Sequence, residues 1–262
     1  MILNLCYNLT LIDLKKPLEL SIMSPDLMSR VNQTWLDHFQ LPVEILSRLG
    51  TTVYKNEKWD ADSYIILWPV GQHIVLEIAP AAEQAVQTLL AQLPSDHVLT
   101  LANFKDAWGE VETSGTPMYA LDAAEFRPFS VSLPYVLRQL TSSDQPAFDA
   151  FLAQCSEEDK DEGDVGIDHM IAFGVFDGER IAAAGSMFIW RGFIDIGILT
   201  DPAYRKKGFG KALVSACAAH YLLGDKVVGY RHDVLNVGSR SIAQGLNFTH
   251  YADVEMLKLP TT

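Results

Sequence analysis

The sequence predicts a mixed α/β protein in two domains, and three observations carry that prediction. First, 262 residues with 48% hydrophobic and 20% charged content can bury a real core, and the length suits two domains of ordinary size. Second, apolar runs of strand length alternate with stretches whose apolar residues recur at helical spacing. Third, the stretch Ile198 to Val214, ILTDPAYRKKGFGKALV, passes from an apolar strand into a helix through two glycines preceded by three cations.

In the first half, Ser24-Pro25-Asp26 supplies a helix start, and Leu27, Val31, Trp35 and Phe39 at four-residue spacing give that helix one apolar face. Two apolar runs, Ser63 to Gly71 and His73 to Pro80, meet around Gly71-Gln72 and predict a hairpin or adjacent strands. A helix is expected from Ala81 to Leu93, then strands at Val98 to Phe104 and Met118 to Asp122. The stretch Ala123 to Pro134 reads as a linker, which puts a domain boundary near residue 130. No motif in this half carries chemistry.

The second half, 134–262, is more legible. Val136 to Leu140 is strand-like, and Thr141 to Asp144 offer caps for a helix carrying Phe148, Phe151 and Leu152. The acidic run within Ser156 to His169 reads as a solvated loop or short mobile helix. Met170 to Leu199 predicts three strands turning at Asp177-Gly178 and Arg191-Gly192, with Phe188, Trp190 and Phe193 as core or pocket wall. A helix with Phe209, Leu213, Ala216 and Cys217 on its apolar face runs to Gly224. A strand at Lys226 to His232, a helix from about Ser239 and a strand at Ala252 to Leu259 complete the chain.

Composition excludes several classes of function. A formal net charge of −13 argues against nucleic acid as partner, because binding a phosphate backbone draws on a broad basic surface. Cys6, Cys155 and Cys217 are few, odd in number and widely spaced, which suits a reducing cytosol and fits no metal-ligand pattern. MILNLCYNLTLIDLKK lacks the features of a signal peptide, and no apolar run approaches the ~20 residues needed to cross a bilayer. The expectation is a cytoplasmic protein without a metal.

The chemistry concentrates in RKKGFGK. A helix N-terminus has about four unpaired N–H groups and a partial positive charge, so it attracts anions. Glycine at 208 and 210 lets a ligand approach the amides, while Arg205, Lys206 and Lys207 can add cationic hydrogen bonds. The arrangement suits a pyrophosphate. It is neither a P-loop nor the dinucleotide pattern GxGxxG.

Arg205-Lys206-Lys207-Gly208-Phe209-Gly210 matches, at every defined position, the R/Q-x-x-G-x-G/A loop that follows a strand in the GNAT superfamily of N-acetyltransferases. A second block, Asn236-Val237-Gly238-Ser239 followed by Ile242 to Phe248, resembles the family's N-x-x-S, apolar helix and Gly-Phe, with Asn247 where Gly is usual. Asn tolerates left-handed backbone, so the turn can survive. The resemblance covers about residues 134–262 and implies an acyl-CoA-binding GNAT fold there. The N-terminal α/β half shapes the acceptor site or an interface, and a degenerate copy of the same fold is one reading of it.

The resemblance implies acetyl-CoA as cosubstrate, lying where two strands splay apart. Pantetheine would pair with the strand Asp195 to Thr200 through the amides of Ile198 and Thr200, an amide near Leu199 would polarise the thioester, and Arg205 to Lys211, Asn236 and Ser239 would hold the rest. The position matching the family's usual strand Glu is Ile194; Asp195 comes next and reaches the same face only through a bulge. His232 near the end of the neighbouring strand has a suitable intrinsic pKa, so Asp195 and His232 are the two candidate bases. Ala243 occupies the place of the family's general-acid Tyr, and Tyr251 falls outside the pattern. The expected activity is N-acetylation of a primary amine on a small molecule or a protein, with a homodimer as one assembly. A non-catalytic acyl-CoA sensor, or a protein acetyltransferase with an N-terminal interaction module, stands as the alternative.

Overall fold

The computed structural model describes residues 23–59 and 64–258. The N-terminal stretch with Cys6, the strand start at Ser63 and the strand end at Leu259 lie outside them.

Helix α1 (Pro25–Phe39) begins where Ser24 Oγ accepts from the Leu27 amide, and it buries Leu27, Val31, Trp35 and Phe39 together with Leu36. That face packs on Trp68, Val70 and Val75 of the sheet and on Phe193 and Val227 from the second half. A strand that the polar residues had hidden, β1 (Gly50–Lys55), pairs in parallel with β3 (His73–Ile78), which forms the expected hairpin with β2 (Tyr64–Val70). Helix α2 (Glu83–Leu90) follows a short 3₁₀ turn.

The strand expected at Val98 to Phe104 is a helix instead, α3 (Leu101–Trp108). Asn103 Oδ1 accepts from the Thr100 amide at 3.0 Å, closing a capping box, and Leu101, Phe104 and Trp108 then fall on one face against the sheet. Local capping outweighed the apolar run. Strand β4 (Glu112–Ala120) ends the first half.

The second half runs β5 (Val136–Gln139), α4 (Gln145–Leu152), α5 (Glu157–Gly163), β6 (Ile171–Asp177), β7 (Arg180–Trp190), β8 (Phe193–Thr200), α6 (Phe209–Tyr221), β9 (Gly229–Arg231), α7 (Val237–Leu246) and β10 (Thr249–Lys258). The expected turns hold, since Asp177 pairs with Arg180 and Trp190 with Phe193. The acidic run is largely α5, capped by Ser156.

Two sheets result, with orders β1-β3-β2-β10-β4-β9 and β5-β6-β7-β8. The boundary near residue 130 divides the sequence but not the first sheet, because β10 lies between β2 and β4 and β9 pairs with β4. β8 meets the residue just before β9 at one parallel bridge, Ile194 to Val228, and the two strands then part.

Candidate active site

A cavity of about 920 Å³ lies where β8 and β9 separate, walled by both strands, the start of α6, the end of α5, and Ser114 and Thr116 of β4. Strand alternation decides what β8 offers it. The Ile194 amide donates to the Val227 carbonyl at 2.9 Å and the Asp201 amide to Ala182 at 3.1 Å, so even-numbered amides of β8 face β9 and odd-numbered ones face β7. The amides of Ile198 and Thr200 therefore face the gap. That of Leu199 turns into the β7 ladder opposite Ala184, so among the amides near Leu199 its own does not face the gap.

At the head of α6, Gly208 takes φ 82°, a left-handed conformation that glycine adopts at little cost. No side chain caps the helix, and its first internal bond runs from the Ala212 amide to the Gly208 carbonyl at 3.0 Å. The amides of Phe209, Gly210 and Lys211, all three lining the cavity, are thus left over at the helix start. A Cβ on Gly210 would stand 3.1 Å from the δ-methyls of Ile198 and Ile242, so space is tight there. Such a bare, positively polarised cradle fits a CoA pyrophosphate.

The cations divide. Arg205, Lys206 and Lys211 line the cavity, with Arg205 held at 2.7 Å by Asp159 of α5. Lys207 does not line it: its Nζ donates to the Tyr135 hydroxyl at 3.1 Å and lies 4.6 Å over the Tyr204 ring. Lys207 was expected at the cofactor; its ammonium rests instead on Tyr135 and Tyr204.

Asn236 and Ser239 also line the cavity, and Asn236 Oδ1 caps α7 by accepting from the Ser239 amide at 3.0 Å. Asn247 takes φ 66° and ends that helix as the left-handed reading required. Ala243 is fully buried and brings no hydroxyl.

The two candidate bases have different surroundings. β8 pairs with β7 without a register shift, so the bulge that would turn Asp195 to the face of Ile194 is absent. Ile194 instead packs into the core under α6 and α7. Asp195 reaches the cavity from the other face, 4% exposed, with Oδ1 accepting from the Ile196 amide at 3.0 Å and Oδ2 from Arg231 Nε at 2.7 Å. Burial pushes its carboxyl above the usual range, against the pull of Arg231 and the Ile196 amide.

His232 is 7% exposed, lines the cavity and stacks on Tyr119. Its Nδ1 donates to the Asp233 carbonyl at 2.7 Å, which leaves Nε2 as the acceptor nitrogen of the neutral ring. That buried Nε2 has no hydrogen-bond partner among the described residues, and burial lowers the pKa of the ring below its ordinary 6.5.

Of the suspected wall residues, Phe188 lines the cavity, whereas Phe193 is core and Trp190 lies beneath the Arg231 guanidinium at 4.4 Å. Sequence reasoning missed Arg231, Ser114 and Thr116. Arg231 was in view beside His232 in the strand KVVGYRH; the β4 pair carried no local signal, since only the shared sheet brings it here. Among the described residues no group of three or more His, Cys, Asp or Glu is gathered as metal ligands would be, and no helix is long and apolar enough to cross a membrane.

Residues 137–235 match the acetyltransferase (GNAT) family. The fold is similar across 91% of the chain to an acetyltransferase from the GNAT family of Colwellia psychrerythraea, at 14% identity, 98% coverage of that chain and a TM-score of 0.51. GCN5-related N-acetyltransferases from Kribbella flavida (14% identity, 70% of this chain and 75% of that one, TM-score 0.49) and Sphaerobacter thermophilus (10%, 70% and 67%, 0.48) also match. No curated protein matches the chain significantly. The match over residues 137–235 and the similar fold support an acyltransferase.

Proposed function

We propose that the protein is an acetyl-CoA-dependent N-acetyltransferase for a primary amine, with His232 as the general base. The observation that carries this reading is the unpartnered, neutral His232 Nε2 in the cavity that also holds the α6 amides. Bound acetyl-CoA would supply the thioester as acyl donor.

The amides of Ile198 and Thr200 would hold the pantetheine arm, and those of Phe209, Gly210 and Lys211, with Arg205 and Lys206, its pyrophosphate. His232 Nε2 takes the proton that the acceptor ammonium must lose before its nitrogen attacks, and the Nδ1–H bond to Asp233 keeps the ring in the tautomer that can do so. As the C–N bond forms the thioester C–S bond would break, and the CoA thiolate would leave with the second proton that the nitrogen sheds. A lowered pKa keeps the ring unprotonated at neutral pH. Asp195 is the weaker base, because both its oxygens already accept hydrogen bonds.

Thiol release from acetyl-CoA, measured with a panel of primary amines, tests the reading. Turnover is expected with at least one amine, and His232→Gln should lower it about 100-fold while leaving acetyl-CoA affinity unchanged. Wild-type protein that binds acetyl-CoA and releases no thiol with any amine is a sensor, and the enzyme reading then fails.

A further inference from the structure

Past the bridge at Ile194, a continued parallel ladder would send the Ile196 amide to the Gly229 carbonyl, the Ile198 amide to Arg231 and the Thr200 amide to Asp233. The chain does otherwise. The carboxylate of Asp195 takes the Ile196 amide on Oδ1 and, through Oδ2, holds Arg231 of β9 at 2.7 Å. One side chain thus stands where the next backbone acceptor would stand, and ties both strands across the opening.

Arg231 is held in place from two other directions. Its backbone pairs with Met118 of β4, and its guanidinium lies 4.4 Å over Trp190 of β7. The carboxylate is 4% exposed, so its separation of the strands is shielded from water. From this arrangement, and resting on the proposed function, we infer that the Asp195–Arg231 pair is a strut that ends the β8–β9 ladder and keeps the Ile198 and Thr200 amides open to acyl-CoA. Asp195 is then a positioning residue and not the base.

The strut makes a prediction that needs no cofactor. In Asp195→Ala and in Arg231→Gln the strands close further, so the Ile198 and Thr200 amides of the free protein should exchange with deuterium about tenfold more slowly than in wild type. Acetyl-CoA should bind about tenfold more weakly to each variant, and no more weakly to the double variant, because both changes remove one device. Asp195→Asn, which keeps an oxygen for the Ile196 amide, should show a smaller effect than Ala.

A general base would behave differently: Asn and Ala would be equally slow in turnover, with acetyl-CoA affinity unchanged. That pattern overturns the inference. So does exchange at Ile198 and Thr200 within about threefold of wild type in both Asp195→Ala and Arg231→Gln. If Asp195→Ala does not fold, Asp195→Asn and Arg231→Gln carry the same comparison. Wild-type protein that binds no acetyl-CoA removes the proposed function alone, and the exchange rates still decide the strut.

Discussion

Glu77 of β3 and Arg191 of the β7–β8 turn form an ion pair at 3.0 Å that joins the N-terminal strands to the second half of the chain. The carboxylate is fully buried and also accepts from Trp68 Nε1 at 2.8 Å and Asn56 Nδ2 at 2.7 Å. Arg191 donates in addition to His38 Nε2 at 2.7 Å and lies over the Trp68 ring. Every partner but the arginine belongs to the first half, so the pair fixes how the turn leading into β8 sits on α1 and β3.

Breaking that pair should be costly, because the remaining charge stays buried without its counterion. Arg191→Met is expected to lower unfolding free energy by about 3–5 kcal/mol, and Glu77→Met with Arg191→Met to recover much of the loss. Urea unfolding followed by tryptophan fluorescence measures both. A loss under about 1 kcal/mol for Arg191→Met would show that the pair is not a structural tie.

Stability should also fall on mild acidification. Burial lowers the pKa of His38, His73 and His232, with Arg191 adding to the effect at His38. A folded pKa below the unfolded value means that the folded chain binds fewer protons, so stability is complete above about 6.5 and is lost as pH falls through the depressed values. Tm is expected to drop by several degrees between about pH 7 and pH 5, with a shallower slope in His73→Gln. A flat Tm over that range contradicts the assignment.

Gly210→Asp should separate ligand binding from folding. The added carboxylate meets the proposed pyrophosphate directly, whereas the δ-methyls it crowds can rotate away, and an acidic group near a helix start offsets part of the strain by roughly 0.3–1 kcal/mol. Acetyl-CoA should no longer raise the Tm of this variant, while the Tm of the free protein moves by only a few degrees. Retained stabilisation by the ligand would place the pyrophosphate elsewhere.

The two neighbouring lysines should behave differently. Lys207→Ala is expected to leave the acetyl-CoA dissociation constant within about twofold of wild type, because that ammonium rests on Tyr135 and Tyr204. Lys206→Ala should raise it several-fold, since Lys206 lines the cavity. Equal effects in isothermal titration would mean that Lys207 swings round to the ligand.

What the amino-acid sequence determined by itself was local. The four-residue spacing from Leu27 to Phe39, the turns after Asp177 and Trp190, the left-handed Asn247, and the helix start at Phe209 each depend on a few adjacent residues, so periodicity and cap chemistry sufficed. Even within that range, the capping of α3 by Thr100 and Asn103 outweighed an apolar run that read as a strand. The tertiary structure alone decided the rest. β10 enters between β2 and β4 by pairing with strands more than a hundred positions away, and this brings Ser114 and Thr116 to the cavity. The direction of Lys207 was set by Tyr135, 72 residues distant, and the role of Asp195 by Arg231, 36 residues distant. Charge and hydrogen bonding act through space over a few ångströms, so which groups meet depends on the packing of whole strands, and spacing along the chain carries no record of it.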